Sequence, residues 1–428
     1  MKDNLYVTIS FYKGWLVAVS GAGIGLVLGI LYVWSVIVSG IPSAWGWSNA
    51  DKALPYSIMA IMFSFMMVPA GQMQDRFGPR LGVMLGGFLA GLGCIIAGLS
   101  GQSVTGYLVG FGLFSGAGVG LGYAALTPAA IKWFPPDKTG LVAGIVVAGT
   151  GLAPVPLAPL TAWLLHVFSE ENAQGVLELG VSNTMIALGL TIWGVIGMFS
   201  WFIKNPPQSF SPAFGNTGVI YLPATDYGGK AMLMTRHFWL LFFMYFSGAS
   251  AGLLFIGVAA EFGKQALGSF AFLVVVVLSV GNTLGRIIVG YISDRIGREL
   301  TLFVEFSLQA SVITFLYYLS TSATPKVFLI LTVLFLIGMN YGANLTLFPA
   351  LCRQYFGLRN FGLNYGWLFT AFGTAGLVMP LVNGLIVDTT GQQKLTYPLI
   401  VILLILSSLT ALFCLKIGPP QPASANKE

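Results

Sequence analysis

Apolar residues run through this chain in blocks of about twenty, each closed by a short polar break, the length a helix needs to cross a bilayer. Such blocks fall near residues 15–38, 54–74, 81–99, 105–131, 139–165, 182–203, 237–260, 269–292, 300–320, 327–350, 362–387 and 396–417, and they predict twelve transmembrane helices. Between the sixth and seventh lies KNPPQSFSPAFGNTGVIYLPATDYGGKAMLMTR, residues 204–236, the longest polar connection and one rich in Pro and Gly. It reads as a cytoplasmic linker between an N-terminal six-helix bundle, 1–203, and a C-terminal one, 237–428. The fold class expected is an all-α membrane protein.

Composition agrees. Of 428 residues 56% are hydrophobic and only 8% charged, about a third of the charged share of a soluble domain. The first block, with Lys2 and Lys13 before it and no small-residue cleavage site after WLVAVSGAGIGLVLGILYVWSVIV, reads as a retained first helix rather than a signal peptide. Placing both termini in the cytoplasm assigns 15 of the 20 Lys and Arg to cytoplasmic segments and four (Lys52, Lys264, Lys326, Lys394) to external ones. One residue is left over, Arg286, inside the eighth block. The expected location is the cell membrane, multi-pass. The net charge of +6 comes from residues scattered among short loops, with no basic run to bind nucleic acid. Three cysteines, Cys94, Cys352 and Cys414, have no metal-ligand or disulfide spacing.

The two halves repeat. GQMQDRFGPR (71–80) recurs as GYISDRIGRE (290–299), with Asp75 matched to Asp294 at an offset of 219. WFPPDKTGLVAG (133–144) is echoed by YFGLRNFGLNYG (355–366) at an offset of 222, which pairs Gly140 with Gly362 and Gly144 with Gly366. Parallel repeats of six helices imply a substrate site between halves near mid-membrane.

The first of these motifs resembles the signature that follows helix two in the major facilitator superfamily, with a degenerate copy after helix eight. Gly71 and Gly78 suit close helix approach and a tight turn. Asp75 can sit by the positive N-terminal end of a neighbouring helix, while Arg76 and Arg80 meet carboxylates or lipid phosphates. The resemblance implies a gating latch, made in one alternating-access state and broken in the other, from these residues with Asp294, Arg295 and Arg298 of the copy. A plainer reading makes the arginines positive-inside anchors, but leaves the glycines, the aspartates and the repetition unexplained.

An arginine inside a span costs at least ~2.5 kcal/mol unless it meets water or a partner. Arg286 lies six residues before the expected helix end at Ile292, within reach of snorkelling. Against that stands the stripe Ser279, Asn282, Thr283, Arg286, Gly290, Ser293, which helical spacing gathers on one polar face, opposite Val277, Leu284, Ile287, Ile288 and Ile292. The acidic residues near spans, Glu261, Glu305 and Asp388, offer no obvious counter-ion at that depth. An unpaired guanidinium is a planar fork suited to a carboxylate, so Arg286 is the candidate anion site.

Around it the chain resembles a narrower group, the oxalate/formate exchangers and monocarboxylate porters, in AGVGLGYAALTPAAIKWFP (117–135), the GR of span eight, LTLFPALCRQYFG (345–357) and NFGLNYGW (360–367). The resemblance implies carboxylate binding at Arg286 inside an aromatic lining from both halves, with Tyr32, Tyr123 and Tyr341 in the matching positions and Leu28, Asn282 and Asn344 beside them. Each tyrosine could also be ordinary helix packing. Two departures refine the reading. The oxalate exchanger carries a lysine eight residues after the Asn of Asn-Tyr-Gly, where this chain has Phe372, so a second carboxylate would lack a partner. The animal porters carry an Asp four residues before the arginine and a Lys in helix one; here Asn282 takes the first place, and YVWSVIV has no ionisable group but Tyr32.

The expectation is a secondary transporter of a small monocarboxylate, lactate- or pyruvate-like, working by alternating access, with the substrate's tail against Leu28 and Phe372. Proton symport is the preferred coupling and exchange of the oxalate/formate type the alternative; no proton-carrying residue is visible. The partners expected are the carboxylate, protons and the lipid bilayer, with no nucleic acid, obligate protein partner, cofactor or metal. An enzyme is not expected, since His166 and His237 lie at opposite ends of spans and no nucleophile-base pair forms. An anion channel would not need the repeated latch, and a sugar porter would carry more Asn, Gln and Glu. Without a phosphate-binding P-loop, coupling must come from gradients.

Overall fold

The structure, a computed structural model, describes residues 2–171, 177–207, 226–267, 272–320 and 327–420. The middle of the linker, 208–225, and the side chains of Glu261, Lys264, Lys326 and Asp388 lie outside them. The first half of the chain forms α1 (Lys2–Leu28), α2 (Trp34–Ser39), α3 (Asn49–Phe77), α4 (Pro79–Leu99), α5 (Val104–Tyr107), α6 (Gly116–Ile131), α7 (Thr139–Leu152), α8 (Pro154–Val167) and α9 (Val181–Phe199). The second forms α10 (Gly229–Leu233), α11 (Arg236–Leu267), α12 (Phe272–Ile296), α13 (Arg298–Ser320), α14 (Val327–Phe356), α15 (Phe361–Thr390) and α16 (Thr396–Ile417). Among the described residues 11 helical stretches are long and apolar enough to cross a membrane, and α15, a helix of 30 residues, covers the expected block 362–387. A two-residue antiparallel ladder, Glu170–Glu171 with Leu177–Glu178, is the one strand pair among the described residues of this otherwise helical chain.

Several spans are interrupted for local reasons. The first passes from α1 through a 3-10 turn, Gly29–Val33, into α2. The fourth joins α5 to α6 through a π-helical stretch, Leu108–Ser115. The fifth breaks between α7 and α8 at Ala153–Pro154, where proline has no N–H to continue the hydrogen-bond ladder. The eighth runs further than expected. α12 ends at Ile296, not Ile292, because SDRI continues the helix until Gly297 closes it at φ +90°. Arg286 is therefore ten residues from the helix end, about 15 Å at 1.5 Å per residue, and its side chain is fully buried within the unit rather than extended along an exposed face.

The chain divides into two compact units: residues 1–133 with 149–208, and residues 134–148 with 209–428. Within the first, α4 packs on α6 and α9 through small residues; a Cβ placed on Gly86 would lie 2.6 Å from Gly118 O and 2.8 Å from Gly122 Cα. Within the second, α12 and α14 make the most extensive contact. There Gly281 and Gly285 face backbone carbonyls of α14, while Gly338 and Gly342 face those of α12, so a side chain at any of the four would collide with main chain. Lipid offers helices no hydrophobic drive to associate, and close backbone approach through small residues supplies the dispersion contacts instead. The outward faces carry large apolar side chains, among them Phe65, Phe88, Leu190, Ile402 and Leu409, all more than half exposed in the protein alone.

The two echoed motifs have the same backbone. Gly78 turns α3 into α4 at φ +86° and donates its N–H to Gln74 O, as Gly297 turns α12 into α13 and donates to Ser293 O. In each, only glycine adopts the turn without a Cβ penalty.

Candidate functional site

In the second unit, α12 turns the polar stripe inward. Asn282, Thr283, Arg286, Gly290 and Ser293 are buried, whereas Val276, Val280, Leu284, Ile288 and Ile292 are exposed. Two hydroxyls of the stripe close on their own helix: Thr283 donates to Ser279 O (3.0 Å) and Ser293 to Gly290 O (2.7 Å).

Arg286 is 0% exposed. Its Nε donates to Asn282 Oδ1 at 3.0 Å, one turn back, and its Nη1 donates to the carbonyl of Val147 in α7. α7 comes this close because Gly140 and Gly144 lie against the carbonyls of Gly290 and Arg286. Nη2 is buried with no hydrogen-bond partner among the described residues, and none of their carboxylates pairs with the guanidinium. The arrangement holds the guanidinium by two of its nitrogens and leaves the third, Nη2, without a partner among the described residues.

The other candidates of this unit gather on α14 and α15. Gly342 rests against the Asn282 carbonyl, which puts the α14 turn carrying Tyr341 and Asn344 beside that residue. Tyr341 is buried, its ring 6.3 Å from that of Phe372. Phe372 stacks on Phe369 at 5.0 Å in an aromatic group that includes Tyr245. Asn344 is occupied differently from the expectation: its Nδ2 donates to Glu305 Oε1 and to Asn340 O, both at 2.9 Å.

In the first unit, Leu28 is buried where α1 ends, and a Cβ on Gly122 would lie 2.8 Å from its Cδ1. Tyr123, the next residue, is buried with its ring edge-on to Phe63 at 5.4 Å. Tyr32 lies half-buried in the 3-10 turn after α1. Leu28 and Tyr123 are thus brought together, with Tyr32 one turn further along.

The residues of the two echoed motifs have defined partners. Asp294 caps the N-terminus of α7, accepting from Gly140 N and Leu141 N at 3.0 Å each, and lies 3.5 Å from Arg298. The two amides are among the unpaired donors of a helix start, and the helix dipole favours a negative charge there. Arg298 donates to Gln354 Oε1 at 2.6 Å, Gln354 donates in turn to Glu299 Oε1 at 2.9 Å, and Arg353 reaches Thr139 Oγ1 and Phe134 O. Sequence reasoning passed over Arg353, Gln354 and Glu299, although the first two stand in the LCRQYFG run already singled out. Arg295 sits over the Tyr291 ring at 4.3 Å. In the first copy, Gly71 is buried, Arg76 exposed and Asp75 half-buried near Lys132. Burial holds the Lys132 ammonium below its ordinary pKa, and the Asp75 carboxylate acts in the opposite sense. Arg80 stacks over Trp201, 3.9 Å from the ring centre, rather than on a carboxylate.

Comparison with known proteins follows the same lines. The family model of the Major Facilitator Superfamily matches residues 16–364. The oxalate:formate antiporter of Oxalobacter formigenes is 28% identical over 355 residues, 82% of this chain and 79% of the relative. Monocarboxylate transporter 13 of Bos taurus is 29% identical over 177 residues, 41% of each chain. Among solved structures, the transporter FucP in its outward conformation superposes with a TM-score of 0.69 at 16% identity, over 93% of this chain and 97% of that one. The proton:xylose symporter XylE gives 0.67 at 13% identity, over 96% of both. At such identities these two show the fold.

Proposed function

Since this chain belongs to the Major Facilitator Superfamily, we propose that it carries a small monocarboxylate of the lactate or pyruvate kind across the cell membrane by alternating access, with proton symport. One observation carries this reading: Arg286 is fully buried and positively charged, and its Nη2 has no hydrogen-bond partner among the described residues. A carboxylate matches that group in charge, one of its oxygens accepting from Nη2. One arginine balances one carboxylate. Phe372, in the same unit as Arg286, is apolar and buried, so a second carboxylate there would be desolvated without a cation. Symport of a proton leaves the transported pair neutral. Both termini are assigned to the cytoplasm on the distribution of Lys and Arg.

Exchange is the second reading, favoured by the antiporter relative at 28% identity. The two are separated by uptake of radiolabelled lactate, pyruvate, formate and oxalate into proteoliposomes, with and without an inside-alkaline pH gradient. Symport predicts saturable monocarboxylate uptake that the gradient accelerates and oxalate hardly inhibits. Oxalate-formate counterflow indifferent to the gradient would establish exchange, and no carboxylate flux under any condition would end both readings.

A further inference from the structure

A proton-coupled carrier needs a group that takes up the proton. Glu305, seven residues into α13, is 4% exposed inside the second unit. Its Oε1 accepts from Asn344 Nδ2 at 2.9 Å, and its Oε2 is buried with no partner among the described residues. A carboxyl so placed within a span marks a functional site by default, since it needs either a cation or a proton to be held there.

Among the described residues, the cations of the helices around Glu305 are committed elsewhere. From α14, Glu305 faces Asn344, with Asn340 one turn away, and Arg353 of that helix is on Thr139 and Phe134. On α13 itself, Arg298 is on Asp294 and Gln354, and Glu299 on Gln354. From α12, Arg286 is on Asn282 and Val147, Asp294 caps α7 and Arg295 lies over Tyr291. From α16, Ser408 bonds Ser307 and Phe303 O at this level, which puts Cys414 and Lys416 more than a turn further along and Tyr397 at the far end. Tyr245 of α11 stacks on Phe348 at 4.2 Å, and Gly248, not a charged residue, lies against Asn344.

We propose that Glu305 is the proton-binding site of this carrier and that Asn344 couples it to the anion site at Arg286. The proposal rests on the symport reading above. α14 joins the two groups: Gly342 packs on the Asn282 carbonyl beside Arg286, and two residues later Asn344 bonds Glu305. Charge balance then sets the stoichiometry. The empty carrier holds Arg286 positive and Glu305 negative, and the loaded one holds Arg286 with its carboxylate and Glu305 protonated; both are neutral in a low-dielectric interior. A carrier with only the proton or only the anion has a net charge, and burying it is costly. Gln309, one turn along α13, and Asn340 add further buried polar atoms near Glu305, with Gln309 Oε1, Gln309 Nε2 and Asn340 Nδ2 without a hydrogen-bond partner among the described residues.

The test uses the full chain in proteoliposomes, with lactate and pyruvate as probes and the parent alongside Glu305→Gln and Glu305→Asp. Glu305→Gln is expected to lower gradient-driven accumulation at least tenfold while slowing lactate-lactate exchange by less than threefold, and Glu305→Asp to restore part of the accumulation. Accumulation by Glu305→Gln at the parent's level overturns the proposal. A parent that exchanges monocarboxylates but ignores the pH gradient overturns it as well, leaving anion binding at Arg286 intact; a parent with no carboxylate flux removes the transport reading itself. Should Glu305→Gln not fold, infrared spectra of the parent with carbon-13 glutamate decide: a protonated-carboxyl carbonyl band that fades as pH rises supports the assignment, and its absence across the range rejects it.

Discussion

At Arg286 the chemistry is that of a single side chain whose hydrogen bonds are divided. Nε and Nη1 are held by Asn282 and Val147, which orient the plane, and Nη2, without a partner among the described residues, is the group that the proposed function assigns to the anion. Arg286→Lys keeps the charge, but its donors radiate from one nitrogen and cannot reproduce the planar spread by which Nε, Nη1 and Nη2 reach separate partners. Hydrogen bonds to charged groups contribute about 1.5–3 kcal/mol, so monocarboxylate uptake is expected to fall at least tenfold, measured as initial rate per folded carrier. Normal uptake by this variant would place the substrate elsewhere. Phe372 is the second test at this scale. A lysine there, two charges ~5 Å apart at an effective dielectric near 20, would attract a second carboxylate by about 3 kcal/mol, roughly a hundredfold in preference. Competition of oxalate against labelled lactate should shift toward oxalate in Phe372→Lys; an unmoved ratio in a folded variant means the position does not face substrate.

Among elements, the crossing of α12 and α14 is the one on which the site depends, because it holds Asn282 and Arg286 against the turn bearing Tyr341 and Asn344. Its glycines leave no room. Gly285→Leu must push backbone aside, an overpacking cost of about 1–3 kcal/mol or more, and the thermal midpoint of the detergent-solubilised protein should fall clearly below the parent's. Gly194→Ala in α9 is the control: a Cβ there meets nothing within 4 Å, and alanine gains up to about 1 kcal/mol of helix propensity. Its midpoint should match or slightly exceed the parent's. Equal losses in the two variants would mean that the close α12–α14 approach is not what makes Gly285 irreplaceable.

For the whole molecule, the cap of Asp294 on α7 ties residues 140 and 141 to a side chain more than 150 positions later, within the unit formed by 134–148 and 209–428. The resemblance of the motif to a gating latch assigns such a bond to the conformational cycle rather than to substrate binding. Asp294→Asn removes the charge-assisted cap and the Arg298 pair, about 1–2 kcal/mol, and Asp75→Asn alters the matching position of the first copy. Both variants are expected to slow turnover several-fold with a binding constant within a factor of about two, by rate and binding measurements on one preparation. A binding constant that weakens in step with the rate would put these aspartates in the substrate's path.

Much of this was legible in the chain itself. The spans follow from the length of apolar runs, the repeat from two echoes at nearly equal offsets, and the isolation of Arg286 from the scarcity of charge in those runs; all are properties of local composition and period. Even there the end of α12 was misplaced by four residues, because polar residues of the motif continue the helix up to Gly297. Tertiary structure alone decided which atoms meet. That Asn344 serves Glu305, that Arg286 takes a carbonyl from Val147, and that Asp294 closes a helix 153 residues before it are facts of helix crossing and register. Period and hydropathy say which face of a helix turns inward. They do not say which residue of a neighbouring helix stands opposite, and in a bundle packed through glycine that pairing is set by how closely two backbones can approach.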